Sequence, residues 1–242
     1  VLHNLPCEPE FRAVLEAEDT RSLLIIYANW AERIISAVPR IIYEAEALTS
    51  NPLSSDPRYK PGLDAIRQKI VQGDDLTGHL SKRITKGYRP SQIDQMNLSR
   101  RPDLDLMLSD WGVHHLHISQ NIESDGFVER TGPLLLAIFK HDKAYLIDII
   151  DHGKWTKRSI LEIIVREWPD AGIVYEMKGA LGLSHTYNVD EHKQLRNAAI
   201  NVLHEIDGKV WMTPGGITTA GSSALATRRS NHLLDCLEQF QE

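Results

Sequence analysis

Three of the chain's eleven histidines stand within four positions, in the stretch Trp111-Gly112-Val113-His114-His115-Leu116-His117-Ile118-Ser119. Imidazole is the side chain whose ordinary proton exchange falls near neutral pH, so two of them held together suit general acid–base work. Alternation along a strand sorts the three into two sets. His115, His117 and Ser119 share one face, with the two rings about 7 Å apart, while His114 joins Leu116 and Ile118 on the other. His115 and His117 are therefore the candidate acid and base, and His114 is expected in the core or its cover.

Asp148 sits between Ile147 and Ile149, a costly place for a carboxylate unless something donates to it. His152 follows four residues later, with Lys154 and Tyr145 close by in the chain. The candidate catalytic set is His115, His117, Asp148, His152 and Lys154. In it the carboxylate fixes the tautomer of one ring, and Lys154 or Arg158 holds a phosphate oxygen. No cofactor is needed for that chemistry. A second use of the same residues is metal ligation, in which His115, His117, Asp148 and His152 take a divalent ion such as zinc. A plainer reading is also open, in which Asp148 caps neighbouring backbone and the histidines are ordinary surface residues.

The elements that must position these residues change character near Trp111. Before it, apolar residues recur at helical spacing from Glu10 to Ala47. Asp19 is the expected N-cap between two helices, and Pro39 the break after which helix resumes at Arg40. Thr49 to Pro61 reads as a loop, Gly62 to Val71 as a helix stopped at Gly73, and Gly73 to Ser109 as short helices and loops. After Trp111, strands are expected at Val113–Ser119, Pro133–Phe139 and Ala144–Ile150. The second and third are joined by a link of hairpin length and pair antiparallel. Lys157 to Trp168 forms a covering helix that Pro169 ends, and Gly172 to Met177 a fourth strand. Val189 to Asn197 is a helix, Asp207-Gly208 a hairpin turn, and Ala224 to Phe240 a closing helix with Leu225, Leu233, Leu234 and Leu237 inward. The fold class is α+β: a helical N-terminal region over 1–109, then a mainly antiparallel sheet covered by helices over 110–242, in one compact unit.

Charge limits the partners. With 27 Lys and Arg against 33 Asp and Glu the net charge is −6, which supplies no general attraction to a phosphate backbone. The local basic runs, Lys82, Arg83, Lys86 and Arg89, then Arg100 and Arg101, read as solvated helix faces. RNA and a protein partner both stay open, and oligomeric state is not legible. Two cysteines without metal or disulfide spacing suit a reducing, cytoplasmic setting. No apolar run is long enough to span a membrane, and the opening Val-Leu-His-Asn lacks the order of a signal peptide.

Other motifs carry less. Pro214-Gly215-Gly216 lacks the Gly-Lys-Ser/Thr of a phosphate loop and reads as a flexible connection. Ser119, Ser184 and Ser222 lack a Gly-x-Ser-x-Gly elbow. The pairs Arg228/His232 and Arg196/His204 are as easily surface residues on a helix or hairpin, and Trp30, Trp111, Trp155, Trp168 and Trp211 read as core or cover.

The order of a helical part, a His-bearing strand, the hairpin Leu134–Lys140 to Tyr145–Ile150 and then His152-Gly153-Lys154-Trp155 resembles the sheet of the small ribonuclease toxins grouped with barnase and RelE. The resemblance covers about residues 111 to 168 and lies in strand order and residue type. It implies a sheet that presents His, Lys, Arg and Tyr to RNA. In that chemistry the ribose 2′-hydroxyl attacks the adjacent phosphate without a metal. His115, His117, Asp148, His152 and Lys154 would then be catalytic, and Tyr145, Arg158 and Lys140 would bind substrate. Such toxins are shorter and basic where this chain is acidic, which keeps a third reading open: a non-catalytic interaction module with an acidic surface.

Overall fold

A computed structural model describes residues 4–88, 105–151 and 159–240. Along the chain the helices and strands are α1 (Arg12–Glu16), α2 (Thr20–Ala31), β1 (Ile41–Glu44), α3 (Glu46–Ser50), α4 (Pro52–Ser55), α5 (Lys60–Gln72), α6 (Leu106–Trp111), β2 (His114–His117), β3 (Leu134–Phe139), β4 (Lys143–Ile150), α7 (Ser159–Glu167), β5 (Tyr175–Glu176), α8 (Val189–Asn197), β6 (His204–Ile206), β7 (Lys209–Met212) and α9 (Ala224–Gln239). The class is α+β. The chain divides into two compact units. One comprises residues 1–34, 83–111 and 175–242, the other 35–82 and 112–174. Each draws on both sides of residue 110, so the units do not follow the division of the sequence into an N-terminal and a C-terminal region.

The second unit is built on a four-stranded sheet in the order β1-β4-β3-β2. β2, β3 and β4 pair antiparallel, as the short link Lys140-His141-Asp142 requires, and β1 joins β4 in parallel. β1 corrects the sequence expectation of a helix resuming at Arg40. The backbone N–H of Arg40 donates to Ile70 and that of Ile41 to Asp142, and the β-branched Ile41 and Ile42 favour the extended form. Arg40 itself is buried. Its guanidinium donates to the carbonyls of Lys140, Ser36 and Val38 and to the Ser36 hydroxyl, tying the strand's entry to the hairpin.

β3 is buried along Leu134–Ile138, which fits a strand covered on both faces. α5 lies against β1, where Arg67 pairs with Glu44. The helix α7 packs on β4 through Ile160, Leu161, Ile164 and Val165, and Trp168 after it meets Tyr145 on the opposite face from Glu44. Each such fully buried aliphatic side chain contributes about 1.5–3 kcal/mol.

In the first unit α2 packs on α9. Asp19 caps α2 by accepting from Ser22 N–H, as its sequence position predicts. Against expectation, α9 turns Ala226 and Ser230 inward and leaves Leu233 and Leu237 about half exposed. The small residues let two helices approach closely, and a wheel with apolar residues on two stripes does not by itself say which one is covered. A three-stranded sheet, β5-β7-β6, carries the Asp207-Gly208 hairpin, with both turn residues at positive φ as a type I′ turn demands.

Candidate functional site

His115 and His117 lie on β2, at the edge of the four-stranded sheet. His115 stands opposite Leu136 of β3 and His117 opposite Leu134, so both project from one face. His115 is half-buried, and His117 is 8% exposed. His114 projects from the other face, where its ring meets Phe139 edge-on at 5.5 Å, the core-cover position its alternation predicts.

β3 stands between the histidines and the carboxylate. The row runs His115, Leu136, Asp148, which puts His115 and Asp148 on one face but two strands, roughly 10 Å, apart. Asp148 is held by other partners. Its Oδ1 accepts from Asn51 Nδ2 at 2.7 Å and from the backbone N–H of Ile149 at 2.7 Å. The same Asn51 amide donates to Ile149 O at 2.9 Å, and its own oxygen caps α4 by accepting from Leu53 N–H. Asp148 therefore ties the start of α4 to β4 through Oδ1; among the described residues no imidazole is hydrogen-bonded to it, and His152 lies outside them.

A β-bulge skips Ile147 between the pairs Leu136/Asp148 and Ala137/Leu146. It brings Tyr145 and Asp148 to the same face although they stand three positions apart. Tyr145 is nonetheless spent on packing. It is buried, stacks on Tyr43 at 5.3 Å and meets Trp168 at 5.0 Å. Lys140 lies at the hairpin, the opposite end of β3 from Leu134, and donates its Nζ to Gly172 O at 3.0 Å. Burial pushes its pKa down. Neither residue is gathered with the histidines. His152, Lys154 and Arg158 lie outside the described residues, as do Trp155 and the basic positions Arg89, Arg100 and Arg101.

One contact has no counterpart in the sequence reading. His79, 3% exposed, has Nδ1 3.0 Å from the carbonyl oxygen of His117. Since that oxygen only accepts, Nδ1 carries the hydrogen, and the tautomer is fixed. Burial lowers the pKa of His79. The end of β2 is further held by Thr131, whose hydroxyl donates to Ile118 O, and by Gly62, where a Cβ would stand 2.8 Å from Ser119 N. No spacing rule links residues 62 or 79 to 117, so only the tertiary fold reveals this clamp.

No family model matches the chain, and no curated protein or solved structure matches it. Among the described residues, no group of three or more His, Cys, Asp or Glu side chains is placed to hold a metal ion, and no helix is long and apolar enough to cross a membrane.

Proposed function

We propose that the protein cleaves RNA, or a related phosphodiester, without a metal, using His115 and His117 as the acid–base pair. The observation that carries the proposal is the placement of both residues on one face of an edge strand, two positions apart. In-line displacement at phosphorus sets the attacking and leaving oxygens on opposite sides of the phosphate. Two rings about 7 Å apart along a strand span those oxygens with one hydrogen bond to each. One imidazole takes the proton of the 2′-hydroxyl as its oxygen bonds to phosphorus. The other gives a proton to the departing 5′-oxygen, and a cyclic phosphate and a free 5′-hydroxyl result. Lys154 and Arg158 are assigned to the phosphate oxygens from the sequence alone, together with the resemblance to the barnase and RelE group. Asp148 is given no catalytic part in this reading, because its Oδ1 is held by Asn51.

The test is incubation of the purified chain with a mixed RNA pool, with and without EDTA, beside a His115→Ala/His117→Ala variant whose fold is checked by circular dichroism. Cleavage that survives EDTA, follows a bell-shaped pH–rate profile and falls at least a hundredfold in the variant is expected. Cleavage lost to EDTA would favour the metal-dependent reading, and no cleavage under any condition would favour a binding module.

A further inference from the structure

The unit that does not hold the candidate site buries a polar cluster of its own. Arg196 of α8 donates Nε to Asp110 Oδ2 at 2.9 Å, and the Thr213 hydroxyl donates to Asp110 Oδ1 at 3.2 Å. The guanidinium carbon of Arg196 lies 4.4 Å from the Trp111 ring centroid. One helical turn away, His192 stacks on the same indole at 5.7 Å, and His204 of β6 meets His192 edge-on at 5.0 Å. Trp211 of β7 stands opposite His204 in the strand pair, close enough for their side chains to be neighbours. Asp110, His192, Arg196 and Thr213 are all at most 7% exposed. The sequence left Arg196 as easily a surface residue as a functional one; the structure buries it, because the i, i+4 pair His192/Arg196 is the face of α8 that turns onto Trp111.

Among the described residues, three N–H groups of this cluster are buried with no hydrogen-bond acceptor: Trp111 Nε1, Trp211 Nε1 and Arg196 Nη2. Nη2 is 2.9 Å from Asp110 Oδ2 but is not aligned to donate to it. A buried donor left unmade costs free energy, and here all three unmet atoms have hydrogen to give. They come from three separate elements: α6 and α8 meet at the Trp111 ring, and β7 sets Trp211 opposite His204, whose ring meets both Trp111 and His192.

We propose that this cluster is a binding site for the oxyanion group, carboxylate or phosphate, of a small molecule, which accepts from Arg196 Nη2 and the two indole N–H groups. Asp110 fixes the guanidinium and cancels its charge, so the site offers directed donors with little net field. The charge of the bound group is met at His192, which faces Asp110, Arg196 and His204 and is neutral at pH 7, since burial and Arg196 hold its pKa at about 4. Binding therefore takes up a proton and tightens as pH falls from 7 toward 5.

The experiment is calorimetric titration of the full chain with inorganic phosphate and, separately, with acetate, at constant ionic strength and at two pH values, with tryptophan fluorescence as a second readout. Saturable binding of one or both anions is expected, stronger at the lower pH. The Trp211→Phe substitution keeps the ring and removes one donor, and weakens binding about tenfold; Arg196→Lys weakens it by at least as much. The arm that binds more tightly identifies the phosphate or carboxylate source. Absence of saturable binding by the wild-type chain up to about 10 mM of either anion, or equal binding by wild type and Trp211→Phe, overturns the proposal.

Discussion

At the residue scale, Asn51 and Asp148 illustrate how a buried polar group is settled by its partners. Asn51 uses both ends of one amide, donating to Asp148 and Ile149 O and accepting from Leu53 N–H. Asn51→Ala removes all three bonds, leaving Asp148 Oδ1 only the Ile149 N–H, for an expected loss of about 1–3 kcal/mol read as a lower urea midpoint. Asp148→Ala should cost stability in the same way and leave the pH–rate profile of RNA cleavage unmoved. A displaced limb of that profile in Asp148→Ala would restore the carboxylate as an orienter of a catalytic imidazole.

At the element scale, the end of α5 fixes where β1 begins. Gly73 closes the helix at φ +78, and a Cβ there would stand 2.5 Å from Pro39 Cδ and from Pro39 N. Gly126 has a similar φ of +82 with nothing within 4 Å of the added carbon. The two glycines separate conformational strain from collision. Gly126→Ala should cost about 1 kcal/mol, the left-handed penalty alone, whereas Gly73→Ala should cost clearly more, because backbone of the β1 entry must also move. Equal changes in denaturation midpoint would remove the packing argument. The same tie explains the overturned helix at Arg40: α2 has already ended at Ala31, and the carbonyls of Ile70 and Asp142 recruit Arg40 and Ile41 into extended structure.

At the scale of the whole molecule, each unit buries a histidine whose charged form is disfavoured: His192 in one, His79 in the other. The folded pKa of His192 is about 4 against an ordinary 6.5, so between those values the unfolded chain binds more protons and stability rises with pH. The contribution is present in full above about pH 6.5 and is lost as pH falls toward 4, a difference on the order of 3 kcal/mol. Glu32, raised by burial, works in the opposite sense and offsets part of the loss at the acid end. Urea midpoints measured from pH 7.5 to pH 4.5 should therefore fall, and His192→Phe should flatten the slope. An unchanged slope in that variant would assign the acid sensitivity elsewhere.

Local chemistry was readable directly from the residues. The hairpin between β3 and β4, the type I′ turn at Asp207-Gly208, the Asp19 cap, α8 within its observed bounds and the shared face of His115 and His117 all rest on neighbours in the chain, where period and turn chemistry act. Tertiary structure decided what depends on distant partners. It inserted β3 between His115 and Asp148 and gave Asp148 to Asn51. It spent Tyr145 on Tyr43 and Trp168, drew β1 into the sheet, and turned Ala226 and Ser230 of α9 toward α2 in place of the leucines. It also assembled Asp110, His192, Arg196 and Thr213 from segments up to 103 residues apart. Alternation and helical spacing state which residues share a face, but a face acquires its chemistry only from what packs against it, and that is set by contacts between segments that have no fixed separation in sequence.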